Sequence, residues 1–404
     1  MTATPDLPAV SSPPRERDRF VTFSQALMIF LVVVAHWFFL VVQDNGLNSI
    51  GIDRYFQAPW MSWILVFVMP MWFGMVGALS KKSALGSVRT YYARRFKRLL
   101  IPYFVFAAVM VVLELTLWAA KVGACGDPAL RSTEMWFTMN PLKALSWVMP
   151  YPHFDCLGVT QAPFWFLTAL MFITLVMPGA ARIYQRRRLK YLFPVLLAGT
   201  TLACDLGQKV LGGLPLLLLA RILTTWTFFA YIGFFYIDRE YEKVRRWLLP
   251  GAAVCTLATV VMVAGPYPDY LFGTANDGNQ FPPTAAYLMG GSAAMLLLVW
   301  ARESLTRFSS VRGVRPFVDY MATNNYTIYI WHMLAYSLAW WTVHWVGAWP
   351  TLTGWPIILR QVVVAAVATP ILVAFVAVFA RCEGWDFPPR WFKRRSGSVE
   401  AATT

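Results

Sequence analysis

Apolar runs of about 20 residues recur along almost the whole chain, and shorter polar segments separate them. A run of this length matches the hydrocarbon thickness of a bilayer at the rise of an α-helix. The runs do not alternate between apolar and polar positions as barrel strands would, so helices must satisfy their backbone in lipid. The predicted spans are 21–42, 59–79, 99–120, 162–179, 191–206, 214–237, 247–265, 283–301, 322–344 and 358–380. The sequence thus predicts an all-α polytopic membrane protein with a bundle of about ten transmembrane helices.

Composition agrees with this prediction, because 58% of the 404 residues are hydrophobic and only 14% are charged. The charged residues also predict an orientation. Of the 35 Lys and Arg residues, 28 lie in the two tails and in every second segment between spans, against five in the other segments. By the positive-inside rule both termini are expected in the cytoplasm. The net charge of +15 then reflects topology and contact with anionic headgroups, so nucleic acid is not an expected partner.

The sequence also predicts how the chain divides into domains. The first apolar run is too long for a signal peptide, so it is kept as a span. The predicted domains are a disordered cytoplasmic tail over 1–19, a transmembrane domain over 20–381 that contains a long extracytoplasmic loop over 121–161, and a basic cytoplasmic tail over 382–404. That loop is either an interfacial aromatic segment or a lid over an acceptor site. Cys125 and Cys156 lie in it, and the sequence leaves open whether they form a disulfide.

Ionisable residues inside spans are candidates for function because charge is costly in lipid. His36 lies at or beyond the middle of the first span, and His332 lies near the middle of the ninth. Glu114 and Arg221 lie toward the outer halves of the third and sixth spans. A single histidine among apolar residues is usually a packing residue. Two at similar depth could instead face one wet cavity, where imidazole suits a general base.

Arginines crowd the entry to the third span. Arg94 and Arg98 are four residues apart, and Arg95 and Arg98 are three apart, so they project from one side of a helix. They could simply anchor the helix at the cytoplasmic surface. They could also clamp a polyphosphate, because guanidinium groups bind phosphate oxygens in bidentate fashion. Lipid headgroups and coenzyme A would both meet that description.

Five segments in order resemble one known family. They are VVVAHWFF in the first span, WILVFVMPMWFGMVGALSKKS in the second, then YYARRFKRLLIPYF, PFWFLTALMF and TNNYTIYIWHML. Their order and spacing over most of the chain are similar to the acyltransferase 3 family of integral membrane O-acyltransferases. No Gly-rich phosphate loop, HExxH motif or GxSxG motif competes with this resemblance, and no metal site is predicted.

The resemblance implies about ten core helices, a cytoplasmic acyl-CoA donor site and an acceptor reached from the other side. It implies a catalytic role for His36 and a late catalytic-site histidine at His332. Where the family has an arginine eleven residues before the first histidine, this chain has Gln25. The residues expected to bind the donor are Gln25, Arg94, Arg95 and Arg98. Those expected to bind substrate or line the cavity are Glu114, Trp165, Asn324, Asn325 and Tyr329.

The predicted function is O-acyl transfer, with acetyl as the first candidate, in a bacterial inner membrane. The donor would be a cytoplasmic acyl-CoA such as acetyl-CoA, and the acceptor a hydroxyl of a cell-envelope glycolipid or glycan. Two alternatives stay open on the sequence. A transporter or flippase for a glycolipid or small molecule could use the same histidines without chemistry, and the departure at Gln25 is also compatible with a catalytically silent membrane scaffold.

Overall fold

The computed structural model describes residues 18–42, 50–52, 63, 65–121, 165–211, 214–268, 271, 283–346 and 357–384. Most of these residues are helical. A short antiparallel ribbon follows the first helix, in which β1 (Leu40–Val42) pairs with β2 (Ile50–Ile52). The helices are α1 (Arg19–Phe39), α2 (Val68–Ala84), α3 (Val88–Ala120), α4 (Trp165–Gln185), α5 (Leu189–Leu211), α6 (Pro215–Ile237), α7 (Glu240–Lys243), α8 (Arg245–Val263), α9 (Ala285–Trp300), α10 (Arg302–Ser309), α11 (Arg315–Thr323), α12 (Asn325–Trp345) and α13 (Ile357–Phe379), with a 3-10 turn at Ala380–Gly384.

Local sequence explains where several helices begin. Ser87 has extended backbone angles before α3, and its hydroxyl accepts a hydrogen bond from the Thr90 N–H. Thr284 caps α9 in the same way, through the Tyr287 N–H at 3.2 Å. Pro215 stands at the first turn of α6, where its missing N–H costs no helical hydrogen bond.

Seven helices among the described residues are long and apolar enough to cross a membrane, or eight if α9 and α10, which are bent by 64°, form one span. The protein is therefore a multi-pass helical membrane protein, while the count of ten stays a prediction. The predicted first span over 21–42 ends early, because its last three residues form β1. The predicted ninth span is divided at Asn324, whose backbone (φ −104°, ψ 16°) departs from helical geometry between α11 and α12.

The predicted terminal and loop regions are only partly described. Arg19, the last residue of the predicted tail, belongs to α1. In the same way, the last turn of helix continues to Gly384, three residues past the predicted end of the transmembrane domain. Most of the loop over 121–161, with Cys125 and Cys156, lies outside the described residues, so its role as a lid and its disulfide stay predictions.

Helices α2 and α6 cross at a glycine seam formed by Gly74, Gly77, Ala230 and Gly233. A Cβ added to Gly77 would lie 1.8 Å from the carbonyl oxygen of Ala230. A Cβ on Gly233 would lie 1.9 Å from the carbonyl oxygen of Gly74. Small residues allow transmembrane backbones to approach this closely, so dispersion contacts replace the missing hydrophobic driving force in lipid. The seam therefore fixes α2 in the centre of the bundle.

One end of the bundle, the charged end, carries ion pairs between segments that are distant in sequence. The Lys190 ammonium lies 2.8 Å from a carboxylate oxygen of Glu240, and Lys81 pairs with Asp238. Further pairs at this end are Arg19–Asp319, Arg302–Asp18 and Arg245–Glu303. These residues come from the basic segments that the sequence assigned to the cytoplasmic side. The structure thus brings those segments together at one end, and the side of the membrane that this end faces stays a prediction.

Candidate active site

His36 of α1 and His332 of α12 meet in the interior of the bundle. Nδ1 of His36 lies 2.8 Å from Nε2 of His332, a hydrogen-bonding distance between residues 296 positions apart. The ring centres are 5.0 Å apart and the planes differ by 27°. Because the two nitrogens are much closer than the ring centres, the imidazoles meet edge to edge. His332 is fully buried, whereas part of the surface of His36 is accessible.

The hydrogen bonds of this pair define its tautomers. Nδ1 of His332 lies 2.7 Å from the carbonyl oxygen of Tyr329, which can only accept, so this Nδ1 carries a proton. A neutral imidazole has one donor and one acceptor, so Nε2 of His332 accepts and Nδ1 of His36 must donate to it. Nε2 of His36 is then left with its lone pair available. This assignment follows from the hydrogen-bond network, and it orients His36 as a proton acceptor.

Neighbouring aromatic residues hold both histidines in place. The indole N–H of Trp37 donates to the carbonyl oxygen of His332 at 3.0 Å, which ties α1 to α12 beside the pair. The Tyr329 ring packs against Trp72 of α2, with ring centres 5.9 Å apart, and against Phe166 of α4 at 5.2 Å. Four helices therefore fix the geometry of the two histidine side chains. A catalytic site requires such fixed geometry because it must hold the reacting groups in position.

A cleft of about 110 Å³ lies between these helices, near the entry to α3. Its polar lining consists of Gln25, Arg95, Arg98 and Asn325, and its walls are Met28, Trp72, Met75, Val76, Leu79, Leu99, Leu170 and Tyr326. The Tyr326 hydroxyl donates to the carbonyl oxygen of Leu99 at 2.6 Å, which joins α12 to α3 at the edge of the cleft. Charge is thus concentrated at one part of an otherwise apolar opening.

The cleft and the histidine pair lie along the same helix faces. Gln25 and His36 are eleven residues apart, which places them within about 20° on α1 and roughly 16 Å apart along it. Asn325 and His332 are seven residues apart, again within about 20° and roughly 10 Å apart along α12. Trp72 connects the two levels, because it lines the cleft and also packs on Tyr329.

Arg95 and Arg98 carry the positive charge of the cleft. The Arg95 guanidinium lies over the Tyr91 ring, 5.7 Å from its centre. Neither arginine forms an ion pair within the part of the chain that the structure describes. A guanidinium that faces a cleft without a carboxylate partner is suited to bind an anion from outside the chain.

Arg94, Asn324 and Glu114, which were also predicted for the site, lie elsewhere. Arg94 is exposed and does not line the cleft. The amide of Asn324 donates to the carbonyl oxygen of Tyr320 at 2.9 Å, which caps α11 instead of lining the cleft. Glu114 is buried, but it lies sixteen residues beyond Arg98, or about 24 Å farther along α3. Trp165 begins α4, and its side chain lies outside the described residues.

Trp72, Tyr326 and Trp37 were not predicted as site residues. All three stand inside the sequence segments that carry the family resemblance. Trp72 lies on α2, which contains no predicted site residue, whereas Trp37 and Tyr326 directly follow His36 and Asn325. That proximity was the available signal. What the sequence did not provide was the phase of α2, which decides that Trp72 faces the interior. No group of three or more His, Cys, Asp or Glu side chains is arranged for a metal among the described residues.

The fold and this site define a class: a multi-pass helical membrane protein with paired interior imidazoles beside a cleft whose arginines have no ion-pair partner in the described ranges. The family model for acyltransferase 3, described as an acyltransferase domain, matches residues 19–377. The chain belongs to this family, which confirms the resemblance found in the sequence, and it is a membrane acyltransferase. No curated protein and no solved structure matches the chain.

Proposed function

We propose that the protein is a bacterial inner-membrane O-acyltransferase that moves an acyl group from a cytoplasmic acyl-CoA to a hydroxyl of a cell-envelope glycolipid or glycan. Acetyl is the first candidate for the group transferred. The observation that carries the proposal is the His36–His332 hydrogen bond, which leaves Nε2 of His36 as an acceptor above an arginine-lined cleft.

The donor would enter through the cleft. Arg95 and Arg98 would bind the phosphates of the nucleotide, and Gln25 would contribute a neutral hydrogen bond where the family places an arginine. The apolar walls formed by Trp72 and Met75 suit the arm that carries the thioester. The acyl carbon would then reach the level of the histidine pair, roughly 10 to 16 Å beyond the polar lining.

The chemical step would need only this chain's imidazoles and the two substrates. Nε2 of His36 takes the proton of the acceptor hydroxyl while the hydroxyl oxygen attacks the carbonyl carbon of the thioester. The new C–O ester bond forms, the C–S bond breaks, and the proton passes from His36 to the departing CoA thiolate. His332 is a positioning residue, because its acceptor nitrogen holds Nδ1 of His36 protonated.

The test uses full-length protein in liposomes, labelled acetyl-CoA and an envelope lipid extract. The wild type should place label in a lipid or glycan product, and His36→Ala should reduce transfer by on the order of 10²–10⁴-fold. Phe30→Leu, a change to a residue on the same helix that is 42% exposed, serves as the matched control and should retain activity. Cargo movement without labelled product would instead establish the transporter alternative, and neither activity would favour the scaffold.

His332 has a test that separates positioning from structure. His332→Ala should lower kcat by about 10–100-fold with little change in KM for the donor, because the tautomer of His36 is no longer defined. His332→Gln retains an acceptor oxygen near the former Nε2 and should recover part of that loss. Equal activity of the Ala and Gln variants would remove the positioning role.

A further inference from the structure

A second site lies apart from the histidine pair, between α6, α8 and α9. An apolar groove of about 690 Å³ runs there, and Phe228, Ile232, Cys255, Met289 and Leu296 are among its lining residues. Most of its polar lining lies at the end near α7, and Ser292 of α9 is a further polar residue in it. This groove takes no part in the acyl transfer proposed above.

A smaller polar pocket of about 250 Å³ adjoins the groove. Its lining residues are Tyr241, Glu242, Arg245, Leu248, Val299, Trp300, Arg302 and Glu303. Tyr241, Leu248 and Val299 line both spaces, so the two lie side by side. The combined site has an apolar body and a charged entrance. This distribution of polarity suits an amphiphile, which has an apolar chain and a polar headgroup.

The depth of this site matches one leaflet of a bilayer. Trp247 and Trp300 are both about half exposed or more beside the polar pocket, and exposed tryptophans are typical of the membrane–water interface. Cys255 in the groove lies ten residues beyond Arg245 on α8, or about 15 Å along the helix. Half of the hydrocarbon thickness is also about 15 Å. A lipid chain that enters at the pocket would therefore reach the end of the groove.

The charges of the polar pocket indicate which headgroup it suits. Two arginines and two glutamates line it, so its charge is balanced. A phosphodiester would suit Arg245 and Arg302, and an ammonium would suit Glu242 and Glu303. Arg245 and Glu303 already form a pair at 2.8 Å, but both side chains are more than half exposed, so exchange of this contact for a headgroup costs little. Arg302 lies 3.6 Å from Asp18 and donates to the Tyr241 hydroxyl, and a guanidinium has further N–H donors for a phosphate.

We propose that this site binds one zwitterionic phospholipid of the phosphatidylethanolamine class, with its headgroup in the polar pocket and one acyl chain in the groove. The lipid would also border the donor cleft, because Met75 lines both the groove and the cleft. A bound lipid would then pack against the side of Met75 that faces away from the donor cleft. The binding proposal does not depend on the proposed acyl transfer.

Native mass spectrometry of the full-length protein tests the proposal, with phosphatidylethanolamine and phosphatidylglycerol of the same chains as probes. The wild type should retain one phosphatidylethanolamine at least about tenfold more tightly than phosphatidylglycerol. Cys255→Trp fills the groove and should weaken that binding at least about tenfold. Val254→Trp is the matched control, because this neighbour on α8 is exposed and does not line the groove.

The headgroup and the chain can be tested separately. The double variant Arg245→Gln/Glu303→Gln leaves the net charge unchanged, and it should lose the preference for phosphatidylethanolamine while still binding a lipid. Equal retention by the Cys255→Trp and Val254→Trp variants, or equal or tighter binding of phosphatidylglycerol by the wild type, would overturn the proposal. If Cys255→Trp does not elute as a monodisperse species, Ser292→Phe replaces it, because Ser292 of α9 also lines the groove. The lipid selectivity of the wild type is measured without any variant.

Discussion

Arg221 and the pair Arg95 and Arg98 are guanidinium groups on spanning helices, yet their surroundings differ completely. Arg221 of α6 donates to one carboxylate oxygen of Asp205 on α5, and both residues are buried. The other oxygen of Asp205 accepts from the Tyr267 hydroxyl at 2.7 Å and the Ala285 N–H at 2.9 Å. This network joins α5, α6 and the start of α9. Within it, the Asp205 carboxylate balances the charge of Arg221.

The arginines of the cleft have no such partner among the described residues, so they are suited to bind an anion. An ionisable residue in or beside a span is therefore not by itself a mark of function. These two clusters differ in whether a buried residue of the described ranges supplies the opposite charge. We therefore expect mutations in the first cluster to affect folding and mutations in the second to affect binding.

The largest effect is expected at the buried pair. Asp205→Ala leaves Arg221 charged and unpaired, and we expect a loss of about 3–5 kcal/mol in the free energy of unfolding. The melting transition of purified protein in detergent measures this loss. The double variant Asp205→Leu/Arg221→Met removes both charges and should recover most of the stability. A double variant as unstable as the single one would show that the charge imbalance is not the cause.

Arg95→Gln and Arg98→Gln should act on binding instead. A hydrogen bond to a charged group contributes about 1.5–3 kcal/mol, so each change should weaken acyl-CoA binding by about 10–100-fold. Isothermal titration at two salt concentrations measures this, and the loss should shrink at high salt. Arg94→Gln is the matched control, because Arg94 is exposed and outside the cleft. A loss in the control equal to that of Arg95→Gln would indicate surface anchoring.

Gln25→Arg should have the opposite effect and strengthen acyl-CoA binding. The change adds a third guanidinium to the cleft, at the position where the family has an arginine. We expect acyl-CoA to bind about 3–10-fold more tightly, which corresponds to about 0.7–1.4 kcal/mol. The same titration measures it, with Gln25→Met as the uncharged control. Unchanged or weaker binding would mean that the donor phosphates do not approach this position.

The smallest effect is expected for an ion pair at the charged end. Hydrogen bonds from Lys190 and then Lys243 lower the pKa of the Glu240 carboxyl from its ordinary value of 4.5. A lowered pKa means that the carboxylate stabilises the fold above pH 4.5 and that this contribution disappears as the pH falls through the lowered value. Glu240→Gln should cost at most about 1 kcal/mol at pH 7, with no difference from wild type at acid pH. A difference in melting temperature that persists at acid pH would contradict this origin.

Much of the fold followed from the sequence, because the length and apolarity of a spanning helix are properties of a single segment. The helices over 88–120, 189–211 and 215–237 coincide with predicted spans to within a few residues or extend them, and the order of the family-like segments indicated the family before any contact was known. The break at Asn324 and the end of α1 at Phe39 did not follow, because they depend on how the chain turns at the bundle surface.

The candidate site divides in the same way. Sequence alone selected His36 and His332, since titratable residues in apolar segments stand out by their cost in lipid. It selected Arg95 and Arg98 because their spacing puts them on one side of the helix that enters the third span. Only the tertiary structure decided which of them meet, because contacts over 296 positions depend on the rotation and crossing of helices. It grouped His36 with His332 and the cleft arginines with Gln25, and it gave Arg221 its partner in Asp205. Composition determines that this chain lies in a membrane, and helix packing determines which of its charges are left to bind something else.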